Sequence, residues 1–336
     1  RNKGDGMTKQ LAWGILGTGW IAGLQTSDLI EHGHNVVAVG SRTAEAAAKF
    51  AAEYGIPTVH GSYEELVADP TVDAIYVASP HPFHEEHALL ALNAGKHVLV
   101  EKVFTMNAAQ AENVVSRASE LGLVVLEAMW TRYLPHMVRI RELIKSGALG
   151  TIRSVIADHN QNLSSDPLHR INNPLLGGGA LLDLGIYPLS FAYDVLGAPS
   201  SVVAVATKTA TDVDRQTAMI LSYGTEAQAV LQTTLDLRGP TRAVIVGSEG
   251  RIEIAETWYA PTTYTRFDAD GNVVEEFDGR TTGRGMQFQA AELERLVAAG
   301  ELANDILSPT ESVQIMRTLD EIRRQIALTY PMLDEG

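Results

Sequence analysis

The chain has 336 residues, with 26 Lys plus Arg against 41 Asp plus Glu, a formal net charge of −15 and no cysteine. Without cysteine there is no disulfide, thiolate nucleophile, iron–sulfur cluster or Cys-type zinc site, and so acidic a chain is not expected to bind nucleic acid. No uninterrupted apolar run approaches the roughly 18 residues of a membrane span and no signal-peptide pattern is seen, so a cytoplasmic location without membrane attachment is expected; Arg1–Gly6 precede Met7 and read as an appended segment outside the fold.

From Leu11 to about Trp130, continuous apolar runs alternate with helix-like stretches: 11–16, 36–39, 74–78, 98–100 and 123–126. Runs without polar alternation suit strands covered on both faces. Ser62-Tyr-Glu-Glu65 and Asn107-Ala-Ala-Gln110 fit helix-starting capping boxes. This rhythm predicts a doubly wound parallel sheet. After Gly150 it changes: segments near 151–160, 201–208, 217–223, 227–235, 241–247 and 251–255 follow one another with little helix between them, which predicts an antiparallel sheet. Along 227–235, Ala229, Leu231, Thr233 and Leu235 form one face, and the other is apolar enough to meet a second subunit. A helix is predicted from Gly178 to about Leu196, another over 287–299, and a last one opened by Ser308-Pro-Thr-Glu311, with Val313, Met316, Leu319, Ile322 and Ile326 as its apolar stripe. The fold class is therefore α/β in residues 7–130 and α+β, with a large, mostly antiparallel open sheet, in 131–336; the last helix is free to pack back on the first domain.

Gly17-Thr-Gly19-Trp-Ile-Ala22 follows the first strand and opens the first helix, the setting of a dinucleotide fingerprint. Gly17, Thr18, Gly19, Trp20 and Ile21 are the candidate phosphate-facing residues. The second strand ends in Ser41-Arg42, where an NAD binder usually carries a carboxylate. A hydroxyl and a guanidinium there suit a 2′-phosphate, so NADP(H) is the preferred cofactor and NAD(H) the alternative.

Ligands of open parallel sheets bind at the carboxyl ends of the strands. Ser79, His81 and His84 follow the third apolar run and Glu101-Lys102 the fourth, which makes all five candidate cofactor-binding residues. Lys102 either pairs with Glu101 for structure or reaches a substrate oxygen beside the nicotinamide. Gly177-Gly-Gly-Ala-Leu-Leu-Asp183-Leu-Gly-Ile-Tyr187 places Asp183 and Tyr187 four apart on one helix face, as a grip for a polyhydroxylated substrate or as a capped helix with a half-buried tyrosine. Trp130 and Arg132 are candidate pocket walls, and Trp258 is a weaker one. His81, His84 and His87, three apart with His81 between two prolines and so not helical, do not make a metal motif; no metal site is predicted, and packing of a loop and first turn beside the cofactor is their expected role.

Together the Gly17–Ala22 fingerprint, Ser79-Pro-x-x-x-His84, Ala94-Gly-Lys-His-Val-Leu-Val-Glu101-Lys102 and Gly177-Gly-Gly-x-x-x-Asp183-x-Gly185-x-Tyr187 resemble the glucose–fructose oxidoreductase / inositol dehydrogenase family (Gfo/Idh/MocA). The stretch Val125–Pro135 is most similar to the branch with dimeric dihydrodiol dehydrogenase and NADP-dependent D-xylose dehydrogenases. The resemblance implies a Rossmann domain followed by a sheet domain that forms the subunit interface of a homodimer or homotetramer. It implies Lys102 as the catalytic lysine, Tyr187 as acid/base where many members have His, and Asp183 as the acid that holds substrate hydroxyls. Val103 departs from the family's Pro after the lysine. The activity so implied is hydride transfer between NADP(H) and a CH–OH or C=O group of a sugar or cyclic polyol or diol. A non-catalytic NADP-bound sensor and a glycoside-cleaving enzyme using transient oxidation are the alternatives.

Overall fold

A computed structural model describes residues 10–334, so Arg1–Gly6 lie outside the described residues. The first half alternates as predicted: β1 (Ala12–Leu16), α1 (Trp20–Glu31), β2 (Asn35–Gly40), α2 (Ala44–Tyr54), β3 (Thr58–His60), α3 (Tyr63–Ala68), β4 (Ala74–Val77), α4 (His84–Asn93), β5 (His97–Glu101), α5 (Ala108–Leu121) and β6 (Val125–Ala128). The six strands are parallel in the order β3-β2-β1-β4-β5-β6. Every residue of β1, β4 and β6 is buried, which is why these strands read as unbroken apolar runs. Ser62 and Asn107 cap α3 and α5 through bonds from Glu65 N (3.1 Å) and Gln110 N (2.9 Å). The strand order reverses direction between β1 and β4, so a crevice opens at their carboxyl ends.

After α6 (Pro135–Lys145) come β7 (Ile152–Asn160), α7 (Ile186–Leu196), β8 (Ser201–Lys208), β9 (Asp214–Tyr223), β10 (Ala227–Thr234), β11 (Ala243–Gly247), β12 (Gly250–Ile254), β13 (Thr263–Asp268) and β14 (Val273–Asp278). They form one sheet, β14-β13-β12-β11-β7-β10-β9-β8, antiparallel except at β7–β10. α7 lies against β7 and β10 and buries the Ala229, Leu231 and Thr233 face. The stretch 174–196 is apolar enough by composition to cross a bilayer, but 89% of its apolar 18-residue window is buried inside the protein, where it serves as a core element.

The chain then returns to the first sheet. In α8 (Gln287–Ala299), Ala290, Leu293 and Leu296 join Trp13, Leu99 and Leu126 in one core, and Glu294 accepts from Trp13 Nε1 at 2.8 Å. α9 (Pro309–Gln325) buries the predicted stripe along α5, and its Ser312 donates to Glu127 at the end of β6 (2.7 Å). A short α10 (Pro331–Asp334) ends the described chain.

Candidate active site

At the end of β1 the chain turns through Gly17 with φ +108, and a Cβ there would meet the carbonyl oxygen of Ala78 at 3.0 Å. A Cβ on Gly19 would project into open space, and Gly19 starts α1 without a side-chain cap. The N–H groups of the first turn, at Trp20 and Ile21, are thus free to meet a pyrophosphate in that space. The Trp20 ring is exposed, so that residue offers its backbone rather than a buried wall. Thr18 Oγ1 lies 3.3 Å from Ser41 Oγ, and the Arg42 side chain is exposed beside them. No carboxylate stands at the end of β2 among 40–43. These residues fit a phosphorylated dinucleotide.

The second group converges from β4, β5, β7 and the turn before α7. Lys102 Nζ donates to the carbonyl of Asp183 (2.7 Å) and to its Oδ1 (3.2 Å), and it lies 5.1 Å from the centre of the Tyr187 ring. The Lys102–Val103 peptide is cis, and with valine in place of proline the lysine still reaches Asp183. Trp130 Nε1 donates to the Tyr187 hydroxyl (3.0 Å). Glu101 accepts from the Tyr76 hydroxyl and from Lys102 N. Asp183 also accepts from both terminal nitrogens of Arg170 (3.3 Å each) and lies 3.8 Å from His81 Nε2. His81 starts a short 3-10 turn, His81–Phe83, rather than an irregular loop, and its Nδ1 lies 3.3 Å from the carbonyl of Gly177. His84 is buried with its ring nitrogens against the carbonyls of Val103 and Ser79 (2.7 and 2.8 Å), so it ties the β4 loop to the lysine's loop.

The electrostatics follow from burial and one dominant pair. Burial works against the charge of Asp183, but Lys102, then Arg170 and His81, hold its pKa far below the carboxylate range. Burial likewise disfavours charge on Lys102, yet Asp183, Tyr187 and Glu101 keep its pKa above the ordinary value. Burial raises Tyr187, and the charge of Lys102 and the Trp130 bond only partly offset it. Burial pushes His81 and His159 down to about 3 and Glu101 up to about 7. The site therefore holds a fixed ammonium–carboxylate pair beside a protonated phenol, because burial outweighs the pull of the Lys102 charge toward a phenolate on Tyr187.

The oxidoreductase family with an NAD-binding Rossmann fold, GFO_IDH_MocA, matches residues 11–129, and the GFO/IDH/MocA C-terminal domain matches 137–253. This chain belongs to the Gfo/Idh/MocA oxidoreductase family. Among its relatives, D-xylose 1-dehydrogenase (NADP(+)) of Hypocrea jecorina is 37% identical over 96% of this chain and 94% of its own. Trans-1,2-dihydrobenzene-1,2-diol dehydrogenase of Xenopus tropicalis is 34% identical over 95% and 99%. A 3-ketoreductase from Actinomadura kijaniata, solved with NADP and TDP-benzene, superposes with a TM-score of 0.81 at 27% identity, covering 95% of this chain and 98% of that one.

Within this Gfo/Idh/MocA site two predicted residues belong elsewhere. Arg132 is not a pocket wall: its guanidinium is buried on Ser190, Asp194, the Ile306 carbonyl and Glu311, because a charge so deep in the protein needs paired carboxylates. Trp258 is fully buried against Phe191 and donates to the Asp158 carbonyl; its neighbour Tyr259 faces the site instead. Tyr259 stacks on His159 (4.1 Å) and lies 5.1 Å from Tyr187. The helix predicted from Gly178 opens with a π-helical turn, Leu181–Gly185, so Asp183 and Tyr187 are not on a plain i,i+4 face, although both enter the cleft. Arg170, His159, Tyr259 and Tyr76 escaped the sequence reading. Arg170 opens a short 3-10 turn, Arg170–Asn172, Tyr259 lies in a loop, and Tyr76 passes as one more apolar strand residue. The one usable signal was His159, an ionisable residue at the carboxyl end of a strand.

Proposed function

We propose that this protein is an NADP(H)-dependent oxidoreductase that moves a hydride between the nicotinamide and a CH–OH or C=O group of a sugar or a cyclic polyol or diol. The observation that carries this reading is Lys102 held on Asp183 over the Tyr187 ring, beside the dinucleotide turn. That relatives of this chain are a D-xylose 1-dehydrogenase and a dihydrodiol dehydrogenase supports the substrate class. Ser41 and Arg42 at the end of β2 support NADP(H) over NAD(H).

The nicotinamide, when bound, supplies the hydride acceptor or donor. Tyr187 takes the carbinol proton in oxidation and returns it in reduction. Its raised pKa makes it a ready proton donor, which suits reduction, while the Lys102 charge favours the phenolate that oxidation needs. An ammonium has three donors, and Asp183 occupies two of them on Lys102, so one is left for the reacting oxygen. Asp183, ionised and braced by Arg170, accepts from a neighbouring substrate hydroxyl. Trp130 holds the Tyr187 hydroxyl in place and offers an aromatic face to a sugar's C–H surface.

The protein further works as a homodimer or homotetramer joined through the outer face of the second sheet, where Val203, Val205, Ile220, Val230 and Ile156 are exposed. The test of the activity is a panel of aldoses, inositols and cyclic diols with NADP⁺, read as NADPH absorbance, beside titrations with NADPH and NADH. Turnover on the panel with tighter NADPH binding is the expected result. Tight NADPH binding with no turnover in either direction would reject the reading.

A further inference from the structure

One cation of the cleft is not used by the arrangement above. Arg284 stands in the turn between β14 and α8, and its guanidinium carbon lies 5.1 Å from the centre of the Trp130 ring and 5.8 Å from that of Trp20. It therefore sits between the dinucleotide turn and the tryptophan that touches Tyr187. It is also the charge that acts most strongly on the half-buried phenol of Tyr259, ahead of Lys102.

The turn is built to present this side chain. Gly283 and Gly285 flank it with φ +68 and +80; a Cβ on the first would meet Asp28 Oδ1 at 2.3 Å, and on the second Leu134 Cδ2 at 2.4 Å. The buried carboxylate of Asp28, on α1, accepts from the backbone N–H of Arg284 (3.1 Å to each oxygen) and of Met286 (2.8 Å). The helix that carries the dinucleotide turn thus also fixes the arginine's backbone. Its guanidinium, by contrast, forms no ion pair among the described residues, and its Nε is buried without a hydrogen-bond partner. The neighbouring cations have carboxylate partners: Lys102 and Arg170 pair with Asp183 in the site, and Arg132 pairs with Asp194 and Glu311 in the core. A half-buried guanidinium held over two indole faces lacks a counter-charge, and a carboxylate or phosphate matches its planar donor fork.

We propose that Arg284 is a specificity-determining residue that binds an anionic oxygen group, carboxylate or phosphate, at the end of the substrate remote from the reacting carbon. The preferred substrates are therefore acidic or phosphorylated sugars rather than neutral ones. This rests on the oxidoreductase reading above, and the experiment separates the two.

Three sugars that differ only at C6, namely D-glucose, D-glucuronate and D-glucose 6-phosphate, are compared with NADP⁺ in the wild type, Arg284→Met and Arg284→Lys. The wild type should favour at least one anionic sugar over glucose by about tenfold or more in kcat/KM, mainly through KM. Arg284→Met should bring that ratio to within about threefold of unity, and Arg284→Lys should restore part of it. The glucuronate and phosphate arms tell carboxylate from phosphate. A wild-type ratio near one, or a ratio unchanged in Arg284→Met, overturns the proposal. So does a loss of NADPH affinity in Arg284→Met, which would place the guanidinium on the cofactor's pyrophosphate. If no sugar is turned over, the oxidoreductase reading fails on its own. Binding of glucuronate and glucose 6-phosphate to the NADPH-loaded protein, followed by tryptophan fluorescence, then decides the matter: saturable binding lost in Arg284→Met supports the proposal, and equal binding or none in both proteins overturns it.

Discussion

At the Tyr187 hydroxyl two effects oppose each other. Burial raises the phenol's pKa, while the Lys102 charge and the Trp130 N–H lower it. Lys102 acts through its field across the ring, 5.1 Å from the ring centre, while two of its donors go to Asp183. Removing the hydroxyl removes the proton acceptor and leaves this frame standing. Tyr187→Phe should lower kcat by about 10² or more with the NADPH dissociation constant unchanged within about twofold, as read by steady-state kinetics and fluorescence titration. The cofactor choice is a second residue-scale matter. Arg42 is exposed and Ser41 is not, so a 2′-phosphate would meet one mobile guanidinium and one fixed hydroxyl. Arg42→Ala should weaken NADP(H) binding by about tenfold or more and NAD(H) by less than about threefold; equal losses would remove Arg42 from the phosphate site. Lys102, Asp183 and Tyr187 were legible because each lies in a compact pattern next to an apolar run. Arg132 was misread because sequence adjacency to Trp130 does not fix direction: a short 3-10 turn aims one residue into the cleft and the other into the core. Arg284 carries no local pattern except its two flanking glycines.

Between residue and domain, the turn that delivers Asp183 depends on a buried clamp. Asp214, on β9, accepts from Leu181 N (2.7 Å) and Thr217 Oγ1 (2.8 Å), and a Cβ on Gly179, at φ +114, would lie 2.1 Å from its Oδ1. Gly179→Ala should cost about 2 kcal/mol or more in unfolding free energy and lower kcat by displacing Asp183. Gly300→Ala, at φ +69 with open space around it, should cost only about 1 kcal/mol and serves as the control in the same thermal and denaturant unfolding series. A second joint of this kind is Glu127 on β6, which accepts from Ser312 of α9 and which burial raises from 4.5 to about 7. Its folded pKa lies above its unfolded one, so the folded state keeps a proton that the unfolded chain gives up. The contribution to stability is then full below the unfolded pKa and is lost as pH rises through about 7. Glu127→Gln keeps the bond to Ser312 and cannot ionise. Its stability relative to wild type should therefore rise between about pH 5 and pH 8 by up to about 3 kcal/mol, as measured by denaturant unfolding at each pH. At this scale most helices and strands could be read from the sequence, since covered strands and capping boxes leave local marks. β3 is only three residues long, and β13 and β14 form a polar edge hairpin with Val273 and Val274 in solvent, so neither run nor alternation betrays them.

For the whole molecule, the division read from the sequence near 130 follows the chain and not the packing. α8 and α9 close the first sheet from the far end of the sequence, through contacts such as Trp13–Glu294 that no local pattern announces. The outer face of the second sheet is an open apolar surface. Its register sets Val203 opposite Ile220, Ile220 opposite Val230, and Val230 opposite Ile156, so four exposed β-branched residues line up across β8, β9, β10 and β7. Val205, also exposed, lies on the same face two residues along β8 from Val203. Single exposed apolar side chains are ordinary on a protein surface, but a row across four strands is a contiguous patch of the kind that a second copy covers. An isologous pairing would bring each row against its own image, which makes the central residue the most sensitive position. Ile220→Asp should halve the molar mass measured by light scattering while the far-ultraviolet circular dichroism stays that of the wild type, because the side chain leaves an exposed face and no core contact is lost. An unchanged mass would move the interface away from this sheet.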